Sequence, residues 1–120
     1  MSLDGKTVLL LEDDPLLSAD LALLLEDAGA EVIGPFRTFH EGLAAVEAGL
    51  PHAALLDVEL LDGKSFPVAD RLHDGGVPFL FYSAKGSSGY EAAKTGNAPI
   101  LSKAHPSRLA VERLSDILRT

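Results

Sequence analysis

The sequence predicts an α/β fold, a five-stranded parallel, doubly wound sheet between two layers of helices. Short, continuously apolar runs of strand length alternate along the chain with longer segments whose leucines recur at helical spacing. Strands that are apolar at every position, rather than at alternate positions, are typical of parallel sheets covered on both faces. Because crossovers between parallel strands are right-handed, five such strand–helix units predict a three-layer sandwich that binds ligands at the carboxyl ends of its strands.

The first strand–helix unit shows how local signals set the element boundaries. Val8–Leu11 is an apolar run that predicts a strand. Asp14 suits the N-cap of a helix over Pro15–Ala28, because its side chain can accept from the free backbone N–H groups of the first turn. Pro15 is tolerated in that turn, and Gly29 suits the end of the helix.

The remaining elements follow the same pattern in chain order. The predicted strands are Glu31–Ile33, Ala53–Leu56, Val77–Tyr82 and Ile100–Ser102, and the predicted helices are Thr38–Ala48, Ser65–His73 and Ser107–Leu118. The segment Ala84–Asn97 holds glycines at positions 86, 89 and 96, and only Tyr90–Lys94 favours a helix. We therefore expect a short, mobile fourth helix there, which makes five helices in all.

Length and composition predict one domain over residues 1–120 and exclude several classes of function. A chain of 120 residues without cysteine suits one core and has neither a disulfide nor a thiol nucleophile. The 18 Asp and Glu against 10 Lys and Arg give a net charge of −8, which disfavours nucleic acid and anionic membranes as partners. The chain start lacks the features of a signal peptide, and no apolar stretch approaches the ~20 residues of a membrane span. We expect a cytoplasmic domain.

Chemistry-bearing residues follow four of the predicted strands. These are the acidic run Glu12-Asp13-Asp14 after the first strand, Asp57 after the third, Ser83 after the fourth and Lys103 after the fifth. Because the carboxyl ends of parallel strands meet at one edge of a sheet, we expect these groups to converge. Crowded carboxylates repel each other and favour a hard cation such as Mg²⁺. A metal ion beside a carboxylate, with a hydroxyl and a lysine close by, is typical of phosphoryl transfer.

With these motifs in this order, the whole chain resembles the receiver domain of bacterial two-component response regulators. The resemblance lies in Val8–Pro15, in Ala54–Leu60 with Asp62-Gly63, in Ser83 and in Ser102-Lys103. It implies a flavodoxin-like sheet of order 2-1-3-4-5 and a stand-alone phosphoacceptor, with a histidine kinase or a phosphotransfer protein as its donor. It implies output through contact with another protein, and no enzyme activity beyond slow self-phosphorylation and autodephosphorylation. An excised receiver of a longer regulator fits the same pattern.

The resemblance also implies a role for each site residue. Asp57 accepts the phosphoryl group, Ser83 hydrogen-bonds a phosphoryl oxygen, and Lys103 contacts the acceptor. The implied ligands of Mg²⁺ are Glu12, Asp13, Asp57 and the backbone carbonyl of Glu59. A narrower resemblance, in Val77–Ser83 and Phe66–Ala69, is to single-domain receivers associated with HWE-type histidine kinases.

Two positions depart from the receiver pattern. Lys103 is followed by Ala104 rather than by proline. A cis bond before a non-proline residue costs about 3 kcal/mol, so we expect a trans bond and a rearranged loop. Ile100 replaces the aromatic residue of most receivers, so signalling is expected to run through the Ala84–Asn97 segment rather than through a rotating ring.

Two other functions stay open on the sequence alone. A pseudo-receiver binds partners without being phosphorylated, and the altered Lys103-Ala104 end favours it. A haloacid-dehalogenase-type phosphatase also uses a strand-end aspartate with Mg²⁺, but its motif belongs on the first strand and needs an aspartate where this chain has Glu59. The histidines have no metal-ligand spacing and are expected at the surface; they are His40, His52, His73 and His105.

Overall fold

The computed structural model of the protein describes residues 2–84 and 99–119, and its centre is a parallel five-stranded sheet. In chain order the strands are β1 (Thr7–Leu11), β2 (Glu31–Phe36), β3 (Ala53–Leu56), β4 (Glu59–Leu60), β5 (Gly63–Lys64), β6 (Phe79–Ser83) and β7 (Ile100–Ser102). Strands β4 and β5 form a separate antiparallel hairpin. The sheet order is β2-β1-β3-β6-β7, which is the predicted order 2-1-3-4-5 once the hairpin strands are left out.

Four helices lie within the described residues. They are α1 (Pro15–Asp27), α2 (Phe39–Ala48), α3 (Phe66–Asp74) and α4 (Ser107–Arg119). The start of α1 is where the sequence places it, because the Asp14 carboxylate accepts from two backbone N–H groups of the first turn at 2.9 and 3.2 Å. Thr38 caps α2, since its hydroxyl accepts from the Glu41 N–H at 3.2 Å. The fifth helix expected within Ala84–Asn97 falls on residues 85–98, which lie outside the described residues.

The sheet separates two apolar layers, and successive residues of each central strand enter opposite layers. Val8 and Leu10 of β1 belong to the core that is shared with α1 and α4, whereas Leu9 and Leu11 belong to the core shared with α2 and α3. All four side chains are fully buried. This double coverage is the reason for the uninterrupted apolar runs that predicted parallel strands.

Two strand boundaries differ from the predicted ones by more than one residue. Strand β2 runs to Phe36, through Pro35, because it is an edge strand that pairs with β1 on one side only. Strand β6 begins at Phe79 rather than at Val77, because the Val77 N–H is bonded to the Leu72 carbonyl at the end of α3. Pro78, between them, has no N–H to donate to the ladder.

The β4–β5 hairpin was not predicted from the sequence. The Glu59 carboxylate contacts the Lys64 ammonium across it at 3.1 Å. Each of its strands has only two residues, and the Asp62-Gly63 pair is the one turn signal within it. The hairpin begins two residues after Asp57, so it adjoins the edge of the sheet where the chemistry-bearing residues lie.

Candidate functional site

The side chains predicted to converge do meet at the carboxyl edge of the sheet. Glu12 follows β1, Asp57 follows β3, Ser83 ends β6 and Lys103 follows β7. The backbone links neighbouring strands here, because the Asp57 N–H donates to the Leu11 carbonyl at 2.9 Å and the Lys103 N–H to the Ser83 carbonyl at 2.8 Å. Glu12, Asp57 and Ser83 are 1%, 6% and 1% exposed. The ends of the strands therefore hold the site in place.

Lys103 joins two buried carboxylates. Its ammonium lies 2.8 Å from Asp57 Oδ2 and 2.9 Å from Glu12 Oε1. Ion pairs of this length are charge-assisted hydrogen bonds. The single cation thereby offsets the repulsion between two acids that come from different strands.

The second oxygen of Asp57 accepts from two neutral donors. Ser83 Oγ donates to Asp57 Oδ1 at 3.3 Å, and the backbone N–H of Glu59 approaches the same oxygen at 3.4 Å. Both contacts are long for hydrogen bonds. The carboxylate thus presents one oxygen to the lysine and the other to a hydroxyl and to the hairpin.

The electrostatics of the site favour an additional cation. Burial raises the pKa of Glu12 to about 7, against the lowering effects of Lys103 and of the hydrogen bond from the Asp14 N–H. Burial by itself lowers the pKa of Lys103, but hydrogen bonds and charges from Asp57 and Glu12 outweigh burial and raise that pKa above its ordinary value. The lysine therefore stays charged at neutral pH, and the carboxylates still outnumber it.

The carboxylates form a group that can hold a metal ion. One oxygen from each of Glu12, Asp13 and Asp57 lies within 4.8 Å of the others. Two of these residues are buried and Asp13 is half-buried, so the group lies at the boundary between the core and the solvent. Hard oxygen donors in this small number suit a divalent cation that keeps several water ligands. Glu59, whose carbonyl the resemblance adds to the ligand set, is exposed and lies in the adjacent hairpin.

The alanine that follows Lys103 leaves the lysine in contact with Asp57. The Lys103–Ala104 peptide bond is trans, as predicted, and the cis bond of the described residues is Gly34–Pro35. The loop after β7 is closed by Ser102, whose Oγ accepts from the Ala104 N–H at 3.1 Å. Lys103 therefore reaches Asp57 without the proline of most receivers.

Ile100 lies in β7 and packs, half-buried, against the apolar layer shared with α2 and α3. An aliphatic side chain at this position has no ring to rotate inward. The segment expected to carry the switch instead, Ala84–Asn97, lies outside the described residues except for Ala84. That expectation therefore stays a prediction.

The sequence assigned no role to two residues that lie beside the site, Arg37 and Asp62. Arg37 Nε donates to the Asp13 carbonyl at 3.3 Å, and the Arg37 carbonyl accepts from the Leu61 N–H at 3.1 Å. Asp62 Oδ1 accepts from the Phe39 N–H at 2.8 Å, which attaches the hairpin to α2. The Asp62-Gly63 pair signals a turn, but the strands beside it are too short to identify a hairpin, and no local signal marks Arg37. The four histidines, by contrast, are exposed as expected.

Comparisons with known proteins agree with this fold, although no protein-family model matches the chain. The phyllosphere-induced regulator PhyR of Methylorubrum extorquens is 40% identical over 80 residues, which cover 64% of this chain and 30% of that protein. A CheY-like response regulator receiver domain protein from Methanospirillum hungatei has a TM-score of 0.83 and 24% identity, over 95% of this chain and 94% of that one. The anti-anti-sigma factor PhyR of Bartonella quintana has a TM-score of 0.78 and 21% identity, over 99% of this chain and 50% of that one.

The fold, the carboxyl-edge cluster and these similarities show that the chain resembles response regulator receiver (CheY-like) domains and shares their fold. It is also similar in sequence to PhyR, although it spans only 30% of the Methylorubrum extorquens protein. No helix in the described part of the chain has the length and apolar character needed to cross a membrane.

Proposed function

We propose that the protein is a phosphoacceptor receiver of a two-component phosphorelay. Asp57 takes a phosphoryl group from the phosphohistidine of a histidine kinase or a phosphotransfer protein, in a step that depends on Mg²⁺. The observation that carries the proposal is the position of Lys103, whose ammonium contacts both Asp57 at 2.8 Å and Glu12 at 2.9 Å. A buried acid paired with a lysine, a hydroxyl and further carboxylates is the set of groups that phosphoryl transfer to a carboxylate requires.

The proposed step leaves an acyl phosphate on the protein. An oxygen of Asp57 attacks phosphorus, and the bond from phosphorus to the donor nitrogen breaks with its electron pair left on that nitrogen. Lys103 offsets charge on the acceptor before the attack and on the phosphoryl oxygens after it. Ser83 presents a hydroxyl that can donate to one of those oxygens. When bound by Glu12, Asp13, Asp57 and the Glu59 carbonyl, Mg²⁺ supplies further charge neutralisation.

The geometry favours this function over the two alternatives that the sequence left open. The pseudo-receiver rested on the altered end at Ala104, but Lys103 contacts Asp57 in spite of it. The haloacid-dehalogenase-type phosphatase needs its nucleophile on the first strand, whereas Asp57 follows β3. We propose that the protein is not a turnover enzyme, and that it shows only slow self-phosphorylation and autodephosphorylation.

We propose that the output is contact with another protein in the cytoplasm. The similarity to PhyR, which in Bartonella quintana is an anti-anti-sigma factor, supports an anti-sigma factor as the first output partner to test. The resemblance of strand β6 and of the start of α3 to receivers of HWE-type histidine kinases supports that class as the first donor to test.

The mass of the intact protein after incubation with acetyl phosphate and Mg²⁺ tests the proposal. We expect one added phosphoryl group on the unaltered protein and on Asp20→Asn, a control at an exposed acid of α1, and none on Asp57→Asn. A protein that gains no mass while it still binds a partner supports the pseudo-receiver instead. Continuous phosphate release from a phosphomonoester supports a phosphatase.

A further inference from the structure

One side chain fastens the hairpin after Asp57 to the start of α2. The Asp62 carboxylate accepts from the Phe39 N–H at 2.8 Å and from the His40 N–H at 3.2 Å, and it contacts His40 Nδ1 at 2.5 Å. Desolvation by itself raises the pKa of Asp62, but the hydrogen bonds from Phe39 and His40 outweigh it and hold that pKa below its ordinary value. Asp62 therefore caps the start of α2 from outside the helix, in addition to the N-cap residue Thr38.

Further contacts fix the hairpin to the same region. Leu60 is 7% exposed and belongs to the core shared with α2 and α3. The Leu61 N–H donates to the Arg37 carbonyl at 3.1 Å, just before α2 begins. A Cβ at Gly63 would lie 3.3 Å from the Phe39 ring, so the turn passes close to the first residue of the helix. The hairpin is thus docked against α2 and the loop that precedes it.

The other end of the hairpin reaches the acceptor. The Glu59 N–H lies 3.4 Å from Asp57 Oδ1, and the Ser65 N–H donates to the Val58 carbonyl at 2.8 Å, which ties the end of the hairpin back to its start. Between the residue that caps α2 and the residue beside Asp57 lie only two leucines. The residue that caps α2 and the residue whose N–H lies beside Asp57 therefore belong to the same short hairpin.

We propose that Asp62 is a positioning residue for the acceptor site. By fastening the hairpin to α2, it sets where the N–H and carbonyl of Glu59 lie beside Asp57. In this way it affects cation binding and phosphoryl acceptance by Asp57, although it contacts neither the cation nor the phosphoryl group. The proposal rests on the proposed function, because it assigns to Glu59 a backbone role at the phosphoacceptor.

Thr38 provides a matched control, because it is a second cap of the same helix. Its hydroxyl accepts from the Glu41 N–H at 3.2 Å and donates to the Glu41 carboxylate at 2.9 Å, both within the first turn of α2. Removing either cap weakens the start of α2. Only the removal of Asp62 also removes a contact between the hairpin and α2.

The test compares Mg²⁺ binding by the unphosphorylated variants Asp62→Ala, Asp62→Asn and Thr38→Ala, by calorimetry and by the NMR shift of the Glu59 amide. We expect Asp62→Ala to weaken Mg²⁺ binding by about tenfold, as loss of a residue that orients a metal ligand does. Asparagine lacks the charge but retains an accepting oxygen, so Asp62→Asn should keep the hairpin attached and restore the affinity to within about twofold. Thr38→Ala should leave both readouts at the values of the unaltered protein.

Equal effects of Asp62→Ala and Thr38→Ala, or no effect of Asp62→Ala, would overturn the proposal. If Asp62→Ala does not fold, His40→Ala replaces it, because that change removes one donor to Asp62 and is expected to move both readouts in the same direction by less. The proposed function fails separately, if the unaltered protein binds Mg²⁺ but takes no phosphoryl group from acetyl phosphate. If Asp62→Ala takes up a phosphoryl group and binds Mg²⁺ as the unaltered protein does, the positioning role of Asp62 is contradicted while the proposed function is not.

Discussion

The two oxygens of Asp57 are held from opposite sides by contacts of different kinds. On the lysine side, Lys103 contacts Oδ2 at 2.8 Å from the end of β7. On the hairpin side, Oδ1 meets the Glu59 N–H at 3.4 Å, in a segment that Asp62 attaches to α2. The first side depends on a charged side chain at a strand end. The second combines the Ser83 hydroxyl, which also donates to Oδ1, with a loop whose docking places the Glu59 N–H.

This difference separates two ways in which the chain can alter Asp57, the proposed phosphoacceptor. A change on the lysine side removes charge from the reacting group, so it acts on the transfer step directly. A change to the docking of the hairpin leaves Asp57, Ser83 and Lys103 in place and acts through geometry, so its effect on phosphoryl transfer is expected to be smaller. The following substitutions test this ordering, from the largest expected effect to the smallest.

Lys103→Met should have the largest effect. Loss of the only cation that contacts both Glu12 and Asp57 in the described residues should slow phosphoryl uptake on the order of a hundredfold. It should also lower the free energy of unfolding by about 1–2 kcal/mol, less than for a fully buried pair because the lysine is partly exposed. A time course of intact mass and urea denaturation measure the two quantities. Lys6→Met, at an exposed site near β1, should change neither, and unaltered uptake in Lys103→Met would contradict the account.

Ser83→Ala should slow phosphoryl uptake roughly fivefold, the equivalent of about 1 kcal/mol for one hydrogen bond. The hydroxyl donates to Asp57 Oδ1 at 3.3 Å, so the loss falls on the acceptor. Ser18→Ala is a matched control, since that buried serine donates to the Pro15 carbonyl at 3.2 Å within α1. If both variants slow uptake equally, the effect belongs to general destabilisation and not to the site.

The attachment of the hairpin should depend on pH. Because the folded pKa of Asp62 lies below its ordinary value, this group stabilises the fold above the unfolded pKa and loses that contribution as the pH falls through the folded pKa. At pH 7 we expect the midpoint of urea unfolding to be higher for the unaltered protein than for Asp62→Asn. This difference in midpoint should shrink as the pH falls toward 3. A difference that stays constant or widens in acid would show that the charge of Asp62 adds nothing to the stability of this attachment.

Arg37→Ala should have the smallest effect. Its side chain is exposed and makes one long contact, 3.3 Å, to the Asp13 carbonyl, while its backbone bond to Leu61 survives the change. We expect a change in unfolding free energy within about 0.5 kcal/mol and phosphoryl uptake within about twofold of normal. A loss as large as that of Ser83→Ala would place Arg37 among the reacting groups and would break the distinction between the two sides.

The lysine side could be predicted from the sequence, and the hairpin side could not. Glu12, Asp57, Ser83 and Lys103 each follow an apolar run, and parallel strands bring their carboxyl ends to one edge whatever the loops do. The same periodicity predicted the five sheet strands and the described helices, and the resemblance to receiver domains implied the order of the strands. Local signals and sheet topology together were therefore enough to predict most of the fold.

The hairpin depends on contacts between distant parts of the chain. Its strands are too short for an apolar pattern, and Asp62 finds its donors at Phe39 and His40, more than twenty residues earlier. Strand β2 continues beyond its predicted end at Ile33, through Pro35, for a similar reason. It lies at the edge of the sheet, where a residue without a backbone N–H is tolerated. In both places tertiary surroundings decided what local propensity left open.

Chemical mapping of the phosphoryl group tests the central claim most directly. After incubation with acetyl phosphate and Mg²⁺, borohydride reduction converts an aspartyl phosphate to homoserine, which peptide mass spectrometry can locate. We predict homoserine at position 57 alone, with none in samples from which Mg²⁺ was removed by a chelator. Homoserine at another acid, or unmodified Asp57 in a protein that binds Mg²⁺, would contradict the assignment of Asp57 as the phosphoacceptor.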